Sequence, residues 1–179
     1  MARQRRWVAV GLPHHITQRG NGRRDIFLDD RLKQIYLNVL ADEARRFQLR
    51  ILGYCIMTNH VHLIAIPETE LAMAFTLRRA HGKFAQYWNT QVGTVGHMWQ
   101  NRYFSCPVEP ARVWSVLRYV EQNPVRAGMV PHATDYAWSS AAPHTQGMGA
   151  HRILDMSWWS REWTSGDWVT ALNAPWQTG

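Results

Sequence analysis

Two cysteines in 179 residues are too few for the disulfide framework that staples small secreted folds. Cys55, set in the apolar run Ile51 to Ile56, reads as a small buried apolar residue. No apolar stretch approaches the ~20 residues that cross a bilayer. The basic start, Met1 to Arg6, is followed by an apolar run, Trp7 to Leu12, too short for the core of a signal peptide. A reducing cytoplasm is the expected location. There is no internal repeat, low-complexity tract or obvious linker, and a hydrophobic content of 46% sets the chain apart from disordered sequences. The length suggests one domain able to bury a real core. Acidic residues are scarce where basic ones gather. Residues 1–50 hold eleven of the 20 Lys+Arg but five of the 13 Asp+Glu, so nearly all of the +7 net charge lies there. Almost all of it is arginine, whose planar fork suits bidentate contact with phosphate. Such a segment favours a polyanionic partner, although charge alone does not exclude an ordinary basic protein.

Several site signatures are also missing. There is no His-Glu-x-x-His for a metalloprotease and no paired cysteines for a zinc module. The third alternating histidine of a histidine-triad hydrolase is replaced by Ile64.

The order of elements is legible from periodicity. Residues 13–18 read as a short strand, followed by a glycine-punctuated basic loop, Arg19 to Arg24. Asp29 to Phe47 reads as a helix, with Asp29 and Asp30 suited to its start and Leu32, Ile35, Tyr36, Val39, Leu40 and Ala44 forming an apolar stripe. Leu49 to Met57 and His60 to Ile66 read as an antiparallel hairpin turned at Thr58-Asn59 and stopped by Pro67. A second helix is expected from Glu70 to Trp88 and a fourth strand from Arg102 to Glu109. A third helix follows Pro110, carries Val113, Trp114, Leu117 and Val120, and should end near Asn123 before Pro124. The sum is α+β, an antiparallel sheet with helices on one face. The chain divides into a domain over residues 1–145 and a tryptophan-rich tail, 146–179, docking on it. Asp155 to Trp168 could form a short helix there, its tryptophans serving packing before base stacking.

Two small constellations carry chemistry. His60 and His62 lie two apart on one strand and present imidazoles to one side, where they can share a metal. Alone, His-x-His is a weak signal. Tyr119 and Asn123, at i and i+4, share one face of a helix, yet each has an ordinary reading as a core tyrosine and a helix-terminal residue. His14 and His15 point to opposite faces of their strand, so at most one can approach the site, and structural roles are expected for both.

Read whole, Arg118-Tyr-Val-Glu-Gln-Asn-Pro-Val-Arg-Ala-Gly-Met-Val and Met57-Thr-Asn-His-Val-His-Leu-Ile resemble the single-tyrosine HUH transposases, and more narrowly the REP-associated tyrosine transposases of bacteria. His14-His-Ile-Thr-Gln-Arg-Gly-Asn, Trp99-Gln-Asn-Arg-Tyr-Phe and Tyr136-Ala-Trp-Ser-Ser support the likeness, which spans roughly residues 7–142 in the family's order. The resemblance implies a ferredoxin-like HUH fold that cuts and rejoins single-stranded DNA beside a hairpin through a 5′-phosphotyrosine. It implies Tyr119 as nucleophile, His60 and His62 as metal ligands, and Asn123 as the third ligand, with Gln122 or Glu121 as substitutes if Pro124 turns Asn123 away. Mg²⁺ or Mn²⁺ is the implied cofactor, Mn²⁺ matching imidazole better. Arg3, Arg5, Arg6, Arg19, Arg23 and Arg24 are the candidates for phosphate contact. A monomer is expected over a dimer. The rival readings are a non-catalytic nucleic-acid-binding module on the same architecture and a metal nuclease that uses water.

Overall fold

A computed structural model describes residues 7–146 and 152–174. Arg3, Arg5, Arg6 and Trp176 therefore lie outside the described residues. Four strands, β1 (His14–Arg19), β2 (Leu49–Ile56), β3 (His60–Pro67) and β4 (Phe104–Pro107), form one sheet in the order β2-β3-β1-β4. Every pairing is antiparallel. With α1 (Asp30–Arg46) between β1 and β2 and α2 (Ala72–Val92) between β3 and β4, this is the ferredoxin-like split βαβ arrangement. The α+β reading holds.

Local chemistry sets the element ends. Asp29 caps α1, its carboxylate accepting from the Leu32 N–H at 2.8 Å, which satisfies one orphan donor of the first turn. α2 runs past the expected Trp88 to Val92. It stops at Gly93, whose φ of +67° supplies the left-handed position that commonly ends a helix. β4 is shorter than expected and closes at Pro107, a residue confined to sheet edges because it lacks an N–H.

The sheet is covered on both sides. Val61, Leu63 and Ala65 of β3 join the core made with α1 and α2, whereas Ile64 and Ile66 join a second core on the opposite face. The expected helices on one face are α1 and α2. The other face is covered in addition by α3 (Val113–Glu121), by α5 (Ala141–Gln146) and by the tail elements α6 (Met156–Trp159) and α7 (Ser165–Asn173). In the tail the single expected helix is two, α6 and α7, separated by a turn. Trp158 stacks on Trp114 of α3 at 4.4 Å between ring centroids, and Trp163 and Trp168 meet at 4.8 Å.

A bulge lies between Ile51 and Gly53 in β2, so that Gly53 sits opposite Ile64 and beneath α3. A methyl group at residue 53 would lie 2.1 Å from Leu117 Cδ1. The missing side chain is what lets α3 approach the sheet this closely. The outer edge of β2 is closed by the Tyr136 to Ser140 segment. The Ile56 N–H donates to the Trp138 carbonyl at 2.8 Å, and the Tyr136 hydroxyl donates to the Ile56 carbonyl at 2.6 Å. A covered edge offers no template for stray pairing.

Candidate active site

Strand alternation places His60 and His62 on the α3 face of β3. Opposite them on β1 stand Arg19 and Thr17, and His15 is paired with Ile64 one step further along. His60 and His62 have ring centroids 4.9 Å apart. Both imidazoles are held neutral. Burial first, then the Arg19 guanidinium, lowers His60 to about 4. Burial, then the charges of His60, His15 and Arg19, lowers His62 to about 3. A neutral imidazole keeps the lone pair that a metal needs.

Which nitrogen is bare follows from the partners. The Asn59 Nδ2 donates to the Arg23 carbonyl at 3.0 Å, which fixes the amide's orientation and turns its oxygen toward His60. That oxygen lies 2.6 Å from His60 Nδ1, so Nδ1 carries the proton and Nε2 is bare. His62 Nδ1 is 2.9 Å from His15 Nε2. The tautomer that donates from Nδ1 to His15 likewise leaves Nε2 free. Outer partners of this kind set ring orientation in metal-binding histidines. The donor set fits a divalent ion held through two Nε2 atoms. Among the described residues there is no cluster of three or more His, Cys, Asp or Glu placed for a metal, so further ligands would be amide, water or substrate oxygens.

His15 is the residue that sequence reasoning misplaced. Both β1 histidines were expected to be structural. His14 is so: its Nδ1 meets the Leu12 carbonyl at 2.9 Å and its Nε2 accepts from the Ala9 N–H. His15 instead stacks beside His62 at 5.2 Å and 10°. Alternation puts His15 on one face with Thr17 and Arg19, but only the pairing of β1 with β3 shows that this face carries His60 and His62.

Tyr119 reaches this group from α3. Its ring is edge-on to His62 at 6.2 Å and to His15 at 6.3 Å, and the Arg126 guanidinium lies 4.7 Å from its centroid. Asn123 was expected to end the helix. In fact α3 ends at Glu121, and a further turn, α4 (Asn123–Arg126), follows directly with Pro124 in its first turn. Pro124 has no N–H for the Val120 carbonyl. The Asn123 side chain fills that role, its Nδ2 donating to the Tyr119 and Val120 carbonyls at 2.9 and 3.2 Å. The amide thus folds back on its own helix, on the same face as Tyr119.

The two substitutes point elsewhere. Glu121 is fully buried and accepts from the Ser140 hydroxyl at 2.5 Å and from Trp168 Nε1 at 2.8 Å, with His144 Nδ1 at 2.6 Å. Gln122 donates to the Leu172 carbonyl, and Arg118 to the Ala174 carbonyl. One face of α3 therefore looks to the histidines and the adjoining face is tied to the tail.

The candidate arginines separate. Arg19 stands beside His60. Arg23, at φ +61°, contributes its carbonyl to Asn59. Arg24 lies over the Trp88 ring at 4.7 Å and donates to the His97 carbonyl at 3.0 Å.

A ferredoxin-like sheet with two imidazoles beside a helix-borne phenol is the arrangement that the resemblance to transposases led one to expect. The chain belongs to the family of IS200-like transposases, whose shared pattern matches residues 9–123 and so takes in His60, His62, Tyr119 and Asn123. Membership implies DNA strand transfer or endonuclease activity. No curated protein matches the chain. Among solved structures it is similar to a REP-associated tyrosine transposase bound to a REP hairpin, with a TM-score of 0.68 and 19% identity over 86% of this chain and 90% of that one. It is also matched, at 18% identity and a TM-score of 0.46, by a putative transposase from Deinococcus radiodurans R1, over 68% of this chain and 97% of that one. At 19% identity the likeness to the first of these is one of fold. None of the helices among the described residues is long and apolar enough to cross a membrane.

Proposed function

We propose that this protein cuts and rejoins single-stranded DNA beside a REP-like hairpin, with Tyr119 as the nucleophile and His60 and His62 as ligands of one divalent cation. The observation that carries the reading is the edge-on approach of the Tyr119 ring to His62, 6.2 Å between centroids, within a single chain. Phenol and imidazoles come from α3 and β3 of the same molecule, which supports action as a monomer.

The donor set would suit a divalent cation, Mn²⁺ before Mg²⁺ for imidazole donors, which when bound would supply Lewis-acid charge withdrawal from the phosphate. His60 and His62 would hold it through Nε2, and Asn123, one turn beyond Tyr119, is the proposed third ligand. The chain's own groups do the rest. The Tyr119 hydroxyl gives up its proton and its oxygen bonds to phosphorus. The bond from phosphorus to the 3′ oxygen breaks, and that oxygen takes a proton to become a free 3′-hydroxyl. One phosphodiester is exchanged for another, so the 5′-phosphotyrosine retains the energy needed to join a second strand end. Arg19, beside His60, is placed to meet phosphate oxygens. Arg23 and Arg24 serve phosphate contact from the same loop, and Arg3, Arg5 and Arg6 are further candidates for it. A single strand suits the site because the sheet face must reach one phosphate without a paired strand in the way. The REP-associated transposase of similar fold is bound to a REP hairpin, which supports hairpin DNA as the partner here.

The test is to incubate the protein with a labelled single-stranded oligonucleotide carrying a REP-like hairpin and Mn²⁺, then separate in denaturant. A covalent protein–DNA adduct is expected, and Tyr119→Phe should abolish it while hairpin affinity is retained. Cleavage that survives in the Phe variant would establish the water-using nuclease instead. Hairpin binding without cleavage, with or without Mn²⁺, would leave a binding module.

A further inference from the structure

Phe104 is out of keeping with the other aromatic residues of the sheet region. Of the five phenylalanines it is the most exposed, at 60%, whereas Phe27 and Phe84 are at 2% and 0%. It packs into neither core. Its place in the register explains what that exposure can serve. Phe104 pairs with Thr17, and Thr17 pairs with His62. Residues directly opposite in antiparallel strands share a face. His62, Thr17 and Phe104 thus form one row across β3, β1 and β4 on the face that carries His60, His15 and Arg19. Two inter-strand steps of about 4.8 Å put Phe104 roughly 10 Å from His62. That is about the reach of a nucleotide or two along an extended strand. β4 is the edge of the sheet, so the ring stands where a chain leaving the histidines would pass.

Resting on the strand-transfer reading above, we propose that Phe104 is a stacking platform for an unpaired nucleobase close to the cut phosphate. A flat apolar ring offers a base its π-face without reading its edge. A solvent-exposed ring gains by being covered, whereas the buried phenylalanines are already covered. Thr17, between the ring and His62, leaves the floor of the path low enough for a backbone to lie across β1. Arg19, one alternation along the same strand, supplies positive charge beside it. The division of labour is that Phe104 holds the strand and the histidine group acts on it.

The experiment uses the full chain and an oligonucleotide with a REP-like hairpin and single-stranded arms. The fluorescent base 2-aminopurine is placed in turn at each arm position. In the Tyr119→Phe background, which cannot be consumed, binding should quench the probe at one position or two adjacent ones. Phe104→Ala and Phe104→Leu should lose that quench, and Phe104→Trp should keep it. With Tyr119 present, Phe104→Ala should raise the DNA concentration for half-maximal adduct formation on the order of tenfold, as loss of one base–aromatic stack does. The rate at saturation should stay nearly unchanged, because the interaction is made equally before and during reaction. The proposal is overturned if no position is quenched in a Phe104-dependent way, if Phe104→Leu matches the parent, or if half-saturation does not move. A parent protein that quenches yet forms no adduct would instead sink the strand-transfer reading and leave the stacking site standing.

Discussion

The sharpest structural prediction concerns Gly53, because its consequence can be worked from one distance. Replacing it by alanine puts a methyl 2.1 Å from Leu117 Cδ1, 3.6 Å from Leu117 Cγ and 3.1 Å from Ser140 Oγ. Ordinary contact begins near 3.4 Å, so something must give by more than an ångström. Leu117 is fully buried among close-packed neighbours and has little room to rotate. The strain should therefore pass to α3 itself, two residues before Tyr119. Overpacking of this kind costs about 1–3 kcal/mol, which for a chain of this size lowers Tm by about 2–4 °C per kcal/mol. Displacing Tyr119, the proposed nucleophile, by about 1 Å should cost on the order of a hundredfold in rate. Calorimetry reads the first effect, and single-turnover adduct formation on folded protein reads the second. The double variant Gly53→Ala/Leu117→Ala supplies the control. Each change alone destabilises, but the leucine's removal makes space for the methyl, so the pair should cost clearly less than the sum. Additive costs, or a Gly53→Ala protein with parental Tm and rate, would refute the claim that this glycine sets the seat of the tyrosine helix.

Two more expectations follow from the histidines. Asn59→Ala removes the oxygen that holds the His60 Nδ1 proton, so Mn²⁺ affinity by titration calorimetry should fall on the order of 10- to 100-fold, with unchanged affinity counting against the tautomer assignment. Acid should destabilise the metal-free fold well above the carboxylate range. His81, bonded to the Tyr36 hydroxyl at 3.1 Å, is lowered to about 3 by burial. The unfolded chain binds its proton below about pH 6.5 while the folded chain refuses it. Its stabilisation is thus complete above pH 6.5 and falls toward pH 3 by at most about 1.4 kcal/mol per pH unit. His60 and His62 act in the same direction. Urea midpoints that stay flat from about pH 7 to about pH 5 would contradict this.

Much of the fold was legible because its signals are local. The apolar run through β3, the apolar stripe of α1 and the proline stop after Ile66 each lie within a window of a few residues. What was not legible depended on contacts far apart in the chain. The tautomer of His60 is decided by an amide whose other end bonds the Arg23 carbonyl, 36 residues away. The site-facing role of His15 needed the pairing of β1 with β3, which no local pattern supplies. Pro124 told half of the story: α3 does end close before it, at Glu121, but a further turn starts at Asn123. Its disfavour for helical geometry in the preceding residue is real, but Asn123 is helical here because its own side chain serves the carbonyl that the proline cannot reach. The paired cores on the two sheet faces were likewise hidden, since the tail was expected to dock on the domain but neither it nor α3 could be assigned to a face of the sheet.

The placement of Tyr119 is best understood from the two faces of its helix. Tyr119, Asn123 and Arg126 follow one another at intervals of four and three, and Arg118, Glu121 and Gln122 at intervals of three and one. Helical geometry sends these sets in different directions. The second set finds its partners at Ser140, His144, Trp168, Leu172 and Ala174, all beyond the last residue matched by the family pattern. A fully buried carboxylate is costly unless paired. Glu121 has three partners, and stripping away any of them would expose that cost. The segments from Ser140 onward, Trp168 of the tail among them, are therefore held by a penalty for leaving rather than by apolar area alone. That penalty fixes the rotation of α3 about its axis, which apolar packing of Val113, Leu117 and Val120 would leave looser. The rotation is the quantity that decides whether the phenol faces the imidazoles.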